Sequence, residues 1–101
     1  MYLSNTPVEI DYTYRMSYFV YILQCADGSL YTGITNDLER RLEEHKNKKG
    51  GHYTRAHGAK KIIYTEKLGN RSQALKREAE IKSWRKAQKL SLINAHRKAR
   101  Q

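Results

Sequence analysis

Little in this 101-residue sequence can cross-link or break the chain. Its one cysteine, Cys25, excludes both an internal disulfide framework and a cysteine-cage zinc site. A single proline, with 39% hydrophobic and 30% charged residues, describes a globular chain rather than a disordered one. No apolar run approaches the ~18–20 residues of a membrane span. The N-terminus lacks the basic segment and apolar stretch of a secretory signal. These absences lead us to expect a soluble, cytoplasmic protein with no membrane partner. Residues 1–15 read as an extension, disordered in part, and 16–99 as a single domain. Met16, just ahead of the first strong strand, is an alternative start.

Acidic side chains are scarce too, ten against twenty Lys and Arg, for a net charge of +10 and a pI near 9.9. The excess is concentrated: residues 71–101 carry ten basic and two acidic side chains. A basic surface of this size attracts polyanions, because each neutralised phosphate releases condensed counterions. Nucleic acid is the expected partner, although a basic surface also suits an acidic protein, and charge alone does not separate DNA from RNA.

Aromatic and β-branched residues crowd Tyr18-Phe19-Val20-Tyr21-Ile22-Leu23, which reads as a strand. Asp27-Gly28 supplies the positive φ of a tight turn, and Leu30 to Thr35 reads as an antiparallel second strand. Asn36 or Asp37 caps a helix running to about Lys48, with Leu38, Leu42 and His45 on one face. Residues 49–59, which include Gly50, Gly51 and Gly58, read as a loop. Lys60 to Thr65 forms a third strand. Arg71 to Arg85, capped at Asn70 or Ser72, is a second helix, and Ala87 to Lys98 a third, with Leu90 and Ile93 turned inward. The expected fold is α/β, a three-stranded antiparallel sheet flanked by helices in the order β-β-α-β-α-α.

Three features go beyond a bare scaffold. Glu78 interrupts a helical stripe of Ala74, Leu75, Ile81 and Trp84; it is either a boundary residue paired with Lys82 or Arg85, or a metal ligand or catalytic carboxylate. Arg41 and His45 project together at i, i+4, and Arg41 suits bidentate phosphate recognition, although Arg40, Arg41, Glu43, Glu44 and Lys46 also make an ordinary solvated face. Tyr21 and Tyr31 fall near each other on the two arms of the hairpin, while Tyr18 and Tyr21 point to opposite faces. Tyrosines in small sheets are also common amphipathic core residues.

In order along the chain, these elements resemble the GIY-YIG nuclease family. Phe19-Val20-Tyr21 and Tyr31-Thr32-Gly33 match the two halves of its name. Gly33-Ile34-Thr35-Asn36-Asp37-Leu38 runs into Arg40-Arg41 and His45, and Arg77-Glu78-Ala79-Glu80-Ile81-Lys82 follows later. The resemblance covers about residues 17–93 and is nearest the small single-domain bacterial members. It implies a metal-dependent endonuclease hydrolysing phosphodiester bonds in DNA, structure-selective and acting in repair or recombination. It implies Tyr21 as general base, Tyr31 as its partner at the scissile phosphate, Arg41 as phosphate clamp, and His45 one turn further along. Glu78 would be the metal carboxylate, and Gly33 would permit close approach. The metal would be one Mg²⁺ or Mn²⁺, weakly held without substrate because one carboxylate cannot fill its shell. Departures from the pattern are Phe19 for the first glycine and Thr32 in the second half; Asn94 is the candidate for the asparagine that often follows the glutamate.

Arg40, Arg55, Lys82, Lys86 and Lys89 are the expected nucleic-acid contacts, with Gly50 to Arg55 a basic–aromatic loop able to touch backbone or stack on an unpaired base. An isolated domain of this kind takes its specificity from substrate shape or from a protein partner. The alternative is a non-catalytic nucleic-acid-binding module of the same fold.

Overall fold

In the computed structural model, residues 17–47 and 52–99 are described. The N-terminal extension, the segment 48–51 with Gly50 and Gly51, and Arg100 lie outside them. Three strands, β1 (Tyr18–Cys25), β2 (Leu30–Thr35) and β3 (Ala59–Leu68), form an antiparallel sheet in the order β2-β1-β3. Helix α1 (Leu38–Lys46) follows β2, and α2 (His52–His57) precedes β3. Helices α3 (Arg71–Lys82) and α4 (Lys86–Ala99) close the chain. The expected α/β arrangement is present, with α2 added where a loop is expected. The third strand is longer than its apolar segment, because Lys67 and Leu68 continue the ladder opposite Phe19 and Tyr18.

Local chemistry places the ends. Gly28 has φ +86° in the β1–β2 turn, and Asp27 accepts hydrogen bonds from the Ser29 backbone and hydroxyl. Asp37 caps α1 by accepting from Arg40 N, and Asn70 caps α3 by accepting from Gln73 N. Helix α3 stops at Lys82 rather than Arg85, where the backbone N–H of Ser83 bonds the carbonyls of Ala79 and Glu80.

Strand alternation sorts the side chains by face. Val20 and Ile22 of β1, with Tyr64 of β3, pack against Ala74 and Ile81 of α3 and Ile93 of α4. Tyr18 packs at the edge of this cluster. Two expected inward residues differ: Leu75 is 37% exposed and Leu90 is 40% exposed. On α3 the buried positions are therefore 74 and 81, which leaves Glu78 midway along the same face. The clamp between α3 and β3 is polar: Arg77 donates to both oxygens of Glu66 at 2.8 and 3.2 Å, and Tyr64 donates to Glu66 at 2.7 Å.

Candidate active site

Tyr21 lies on the face of β1 opposite the core, paired with Gly33 of β2. Its ring crosses that glycine so closely that a Cβ on Gly33 would stand 2.6 Å from the Tyr21 hydroxyl and 3.0 Å from the Tyr31 ring. Gly33 thus makes room for a phenol, a more specific role than the close approach expected of it. Leu23 pairs with Tyr31, which puts the two tyrosines on one face, with ring centroids 6.3 Å apart.

Helix α1 brings Arg41 and His45 to the Tyr21 hydroxyl. His45 Nε2 is 2.7 Å from the phenol oxygen, and Arg41 Nε donates to it at 3.4 Å. Arg41 also donates to Glu44 at 3.0 Å. The far nitrogen of His45, Nδ1, meets the Thr54 hydroxyl of α2 at 2.9 Å. His45 is 1% exposed, so both ring nitrogens need these partners.

The protonation states follow from burial. Burial pushes the Tyr21 phenol up to about 12; Arg41 opposes this, and the charges of Tyr31 and Glu78 add to it. Burial, with the Arg41 charge behind it, pulls His45 down to about 4. At neutral pH the phenol keeps its proton and the imidazole has none to spare. The arrangement consistent with both is Tyr21 O–H donating to Nε2 while Nδ1–H donates to Thr54. Arg41 stays charged, its pKa raised by the bonds to Tyr21 and Glu44 against a burial effect that lowers it.

Glu78 enters from α3, near enough for its charge to act on Tyr21. Its side chain is only 16% exposed, and Lys82 Nζ lies 3.1 Å from Oε2, so of the two expected ion partners it is Lys82 that is used. The same ammonium is 6.0 Å from the centroid of the Tyr31 ring. Tyr21, Tyr31, Arg41, His45, Glu78 and Lys82 are therefore neighbours drawn from four elements. No group of three or more His, Cys, Asp or Glu side chains converges among the described residues, and Glu78 is the carboxylate in this set of neighbours. That donor set fits a hard, oxygen-seeking ion that keeps its waters and takes its other ligands from phosphate.

The other four expected nucleic-acid contacts lie outside this group. Arg40 is exposed, bonded to Asn36 at 3.2 Å, beside a groove of about 260 Å³ lined in part by Tyr18, Arg41 and Arg71. Arg55 is exposed on α2 and reaches His52 Nδ1 at 3.5 Å. Lys86 donates to the Gly28 carbonyl at 3.0 Å, and Lys89 is half-buried near Lys82. Asn94 is exposed on α4, with no hydrogen bond to the site among the described residues. Sequence reasoning missed the part played by Thr54, and it missed His57 and Asp27, which bond each other beside Tyr53. The one signal for Thr54 is a polar β-branched residue at the centre of a short helix that buries nothing else.

This sheet carries a tyrosine on each of two hairpin strands, with an arginine and a histidine on the next helix and a carboxylate on a later one. The model of the GIY-YIG catalytic domain matches residues 17–91, and the chain belongs to that nuclease family. It is 43% identical over 77 residues to UPF0213 protein SSP2268 of Staphylococcus saprophyticus, covering 76% of this chain and 94% of that one. It is 47% identical over 76 residues to UPF0213 protein OB0043 of Oceanobacillus iheyensis, covering 75% and 88%. Two solution NMR structures are similar. UPF0213 protein BH0048 of Bacillus halodurans has 38% identity and a TM-score of 0.52, covering 79% of this chain and 85% of that one. Protein EF2693 of E. faecalis has 42% identity and a TM-score of 0.54, covering 79% and 86%. No helix among the described residues is long and apolar enough to cross a membrane.

Proposed function

We propose that this domain is a divalent-metal-dependent endonuclease that hydrolyses phosphodiester bonds in DNA, with Tyr21, Tyr31, Arg41, His45 and Glu78 as its working residues. The observation that carries this reading is the Tyr21 hydroxyl, which meets Arg41 and His45 and lies within the field of Glu78.

A phenol held near 12 is a poor base by itself, because too little phenolate exists at neutral pH. The bond to His45 gives the proton a second place to go. As the attacking water gives its proton to the Tyr21 oxygen, the Tyr21 proton moves to Nε2 of His45, and the imidazole ends as the proton acceptor. Burial disfavours that imidazolium, and the anionic phosphate drawn into the site favours it. The water oxygen then bonds to phosphorus as the bond to the leaving 3′ oxygen breaks. Arg41, already oriented by Tyr21 and Glu44, neutralises charge that develops on the phosphoryl oxygens. Glu78 would hold the Mg²⁺ or Mn²⁺ ion, which when bound supplies a Lewis acid for the phosphate and the leaving oxygen. Tyr31 lines the same face and, with Lys82, shapes the approach of the strand. Repair or recombination intermediates, with branched or unpaired segments, are the fitting substrates for a domain this small, and a protein partner can add specificity.

The test is cleavage of labelled branched, single-stranded and duplex DNA with Mg²⁺ or Mn²⁺, and with a chelator. Metal-dependent cutting is expected, lost in Glu78→Gln and in Tyr21→Phe while both variants still bind DNA. Binding by the parent without any cutting would replace the nuclease reading with that of a nucleic-acid-binding module.

A further inference from the structure

Beside the proposed site, Tyr31 begins a short ladder of rings. Its centroid is 5.6 Å from that of Tyr53 on α2, at 33°, and Tyr53 stacks on His57 at 4.2 Å and 29°. The far end is anchored: His57 Nδ1 bonds the Asp27 carboxylate, which the hydroxyl and backbone of Ser29 hold in turn. Tyr53 is nonetheless 39% exposed, one of few large apolar side chains left open to solvent. An aromatic ring propped from behind and bare in front loses little rotamer freedom when something stacks on it.

Tyr53 also lines a cavity of about 220 Å³, together with Ser29, Leu30, Lys86 and Lys89. Lys86 is fixed by its bond to the Gly28 carbonyl, and among the described residues neither lysine is paired with a carboxylate. Lys82, the neighbour of Lys89, reaches back toward Glu78 and Tyr31. Burial and the nearby Lys82 both disfavour the charge on Lys89, a strain that an anion between them relieves. The cavity thus offers an apolar wall, an aromatic ring and two ammonium groups, and Tyr31 links it to the proposed site, its ring centroid 5.6 Å from that of Tyr53 and 6.3 Å from that of Tyr21.

We propose that this cavity is a subsite for one unpaired nucleotide next to the scissile phosphate, its base stacked on Tyr53 and its phosphate held by Lys86 and Lys89. The inference rests on the nuclease reading for the position of the scissile phosphate, but the subsite itself binds without metal or cleavage. Stacking of a base on an aromatic ring is sequence-tolerant, since every base has a π-face, and a base paired in a duplex cannot present that face. The subsite therefore favours substrates with a strand opened at the cut. It makes α2 a selectivity element rather than a connecting loop.

The experiment is fluorescence anisotropy of a labelled dT12 strand and of the matching dT12·dA12 duplex, in chelator and at fixed salt. Tyr53→Ala should weaken dT12 binding roughly 5- to 100-fold and leave the duplex within twofold, while Tyr53→Phe binds as the parent does. A dT12 strand with a single abasic position, scanned along its length, should lose affinity at one register for the parent and at none for Tyr53→Ala. Lys86→Ala with Lys89→Ala should weaken dT12 binding and flatten its salt dependence. Equal loss of strand and duplex in Tyr53→Ala, or no loss in either, overturns the subsite. Because no cleavage is read, a parent that binds with this pattern but never cuts upholds the subsite and refutes only the nuclease reading.

Discussion

Tyr21 and Gly33 face each other across β1 and β2, and the phenol oxygen of Tyr21 occupies the space where a side chain at 33 would begin, 2.6 Å from its Cβ position. The two nearest contacting atoms belong to the ring end of Tyr21 and the third to the Tyr31 ring, so an added methyl must push the hydroxyl away from His45 or push β2 outward. Gly33→Ala is expected to lower metal-dependent cleavage about 100-fold, the effect of a misplacement on the order of 1 Å. It should also destabilise the fold by about 1–3 kcal/mol through overpacking. Single-turnover cleavage and urea unfolding of the same variant check the two halves. Parent-like cleavage would show that the position of the Tyr21 hydroxyl does not matter.

The neighbouring residue carries the opposite expectation. Thr32 is buried on the core face opposite Ile22, and its hydroxyl is without a hydrogen-bond partner among the described residues. A buried hydroxyl left unpaired costs free energy that a methyl of the same shape does not. Thr32→Val should therefore raise stability by about 1 kcal/mol in urea unfolding and leave cleavage unchanged. A loss of stability would mean that the hydroxyl has a partner after all.

Such contrasts show what the sequence carried and what it did not. The hairpin, the Asp37 and Asn70 caps and the opposite facing of Tyr18 and Tyr21 are local matters, written in Asp27-Gly28, in cap chemistry and in strand alternation. The convergence of Tyr21, Arg41 and His45 followed from a resemblance, and helical spacing supported it. Helix α2 was hidden because its six residues have no apolar stripe and bury only Thr54, whose partner is nine positions away on another helix. The outward turns of Leu75 and Leu90 were equally unreadable. Helical periodicity names a stripe, but which edge of it meets the sheet depends on how each helix is docked, α3 through Arg77 and Glu66, and α4 through Ile93 and the His96 ring against Tyr64.

Protonation of His45 should be felt in stability. Burial holds it near 4 in the folded protein, against about 6.5 in an unfolded chain. Below 6.5 the unfolded chain takes up a proton that the folded one refuses, so stability is full above that pH and falls as the pH drops toward 4. The expected slope approaches 1.4 kcal/mol per pH unit. The Asp27 and Glu66 carboxyls contribute in a lower window. Asp27 is depressed by its Ser29 and His57 bonds; for Glu66, burial alone would raise it, but Arg77 and Tyr64 outweigh that and hold it below the usual range. Urea unfolding at pH 7.5 and 5.5 should thus show a loss of about 1 kcal/mol in the parent that is smaller in His45→Gln. Equal losses in the two proteins would remove His45 as the cause.

Lys82 poses the last question, because its ammonium sits 3.1 Å from the one carboxylate proposed to hold the metal. A monovalent cation already placed there competes with a divalent one for a carboxylate that is only 16% exposed, while Lys82 itself is half exposed and free to turn to another anion. Substrate phosphate changes the balance by giving the ammonium another anion and the metal another ligand. Removing the competitor should then tighten metal binding in the absence of DNA. For Lys82→Met we expect Mn²⁺ affinity, read from the free-ion EPR signal during titration, to rise severalfold over the parent. Single-strand binding in chelator should weaken at the same time, since a phosphate contact is lost. Unchanged Mn²⁺ affinity in Lys82→Met, with Glu78→Gln also unchanged, would place the metal away from Glu78. A rise in Lys82→Met that disappears in the Lys82→Met/Glu78→Gln double variant would locate it there, with Lys82 as the residue that makes metal binding wait for substrate.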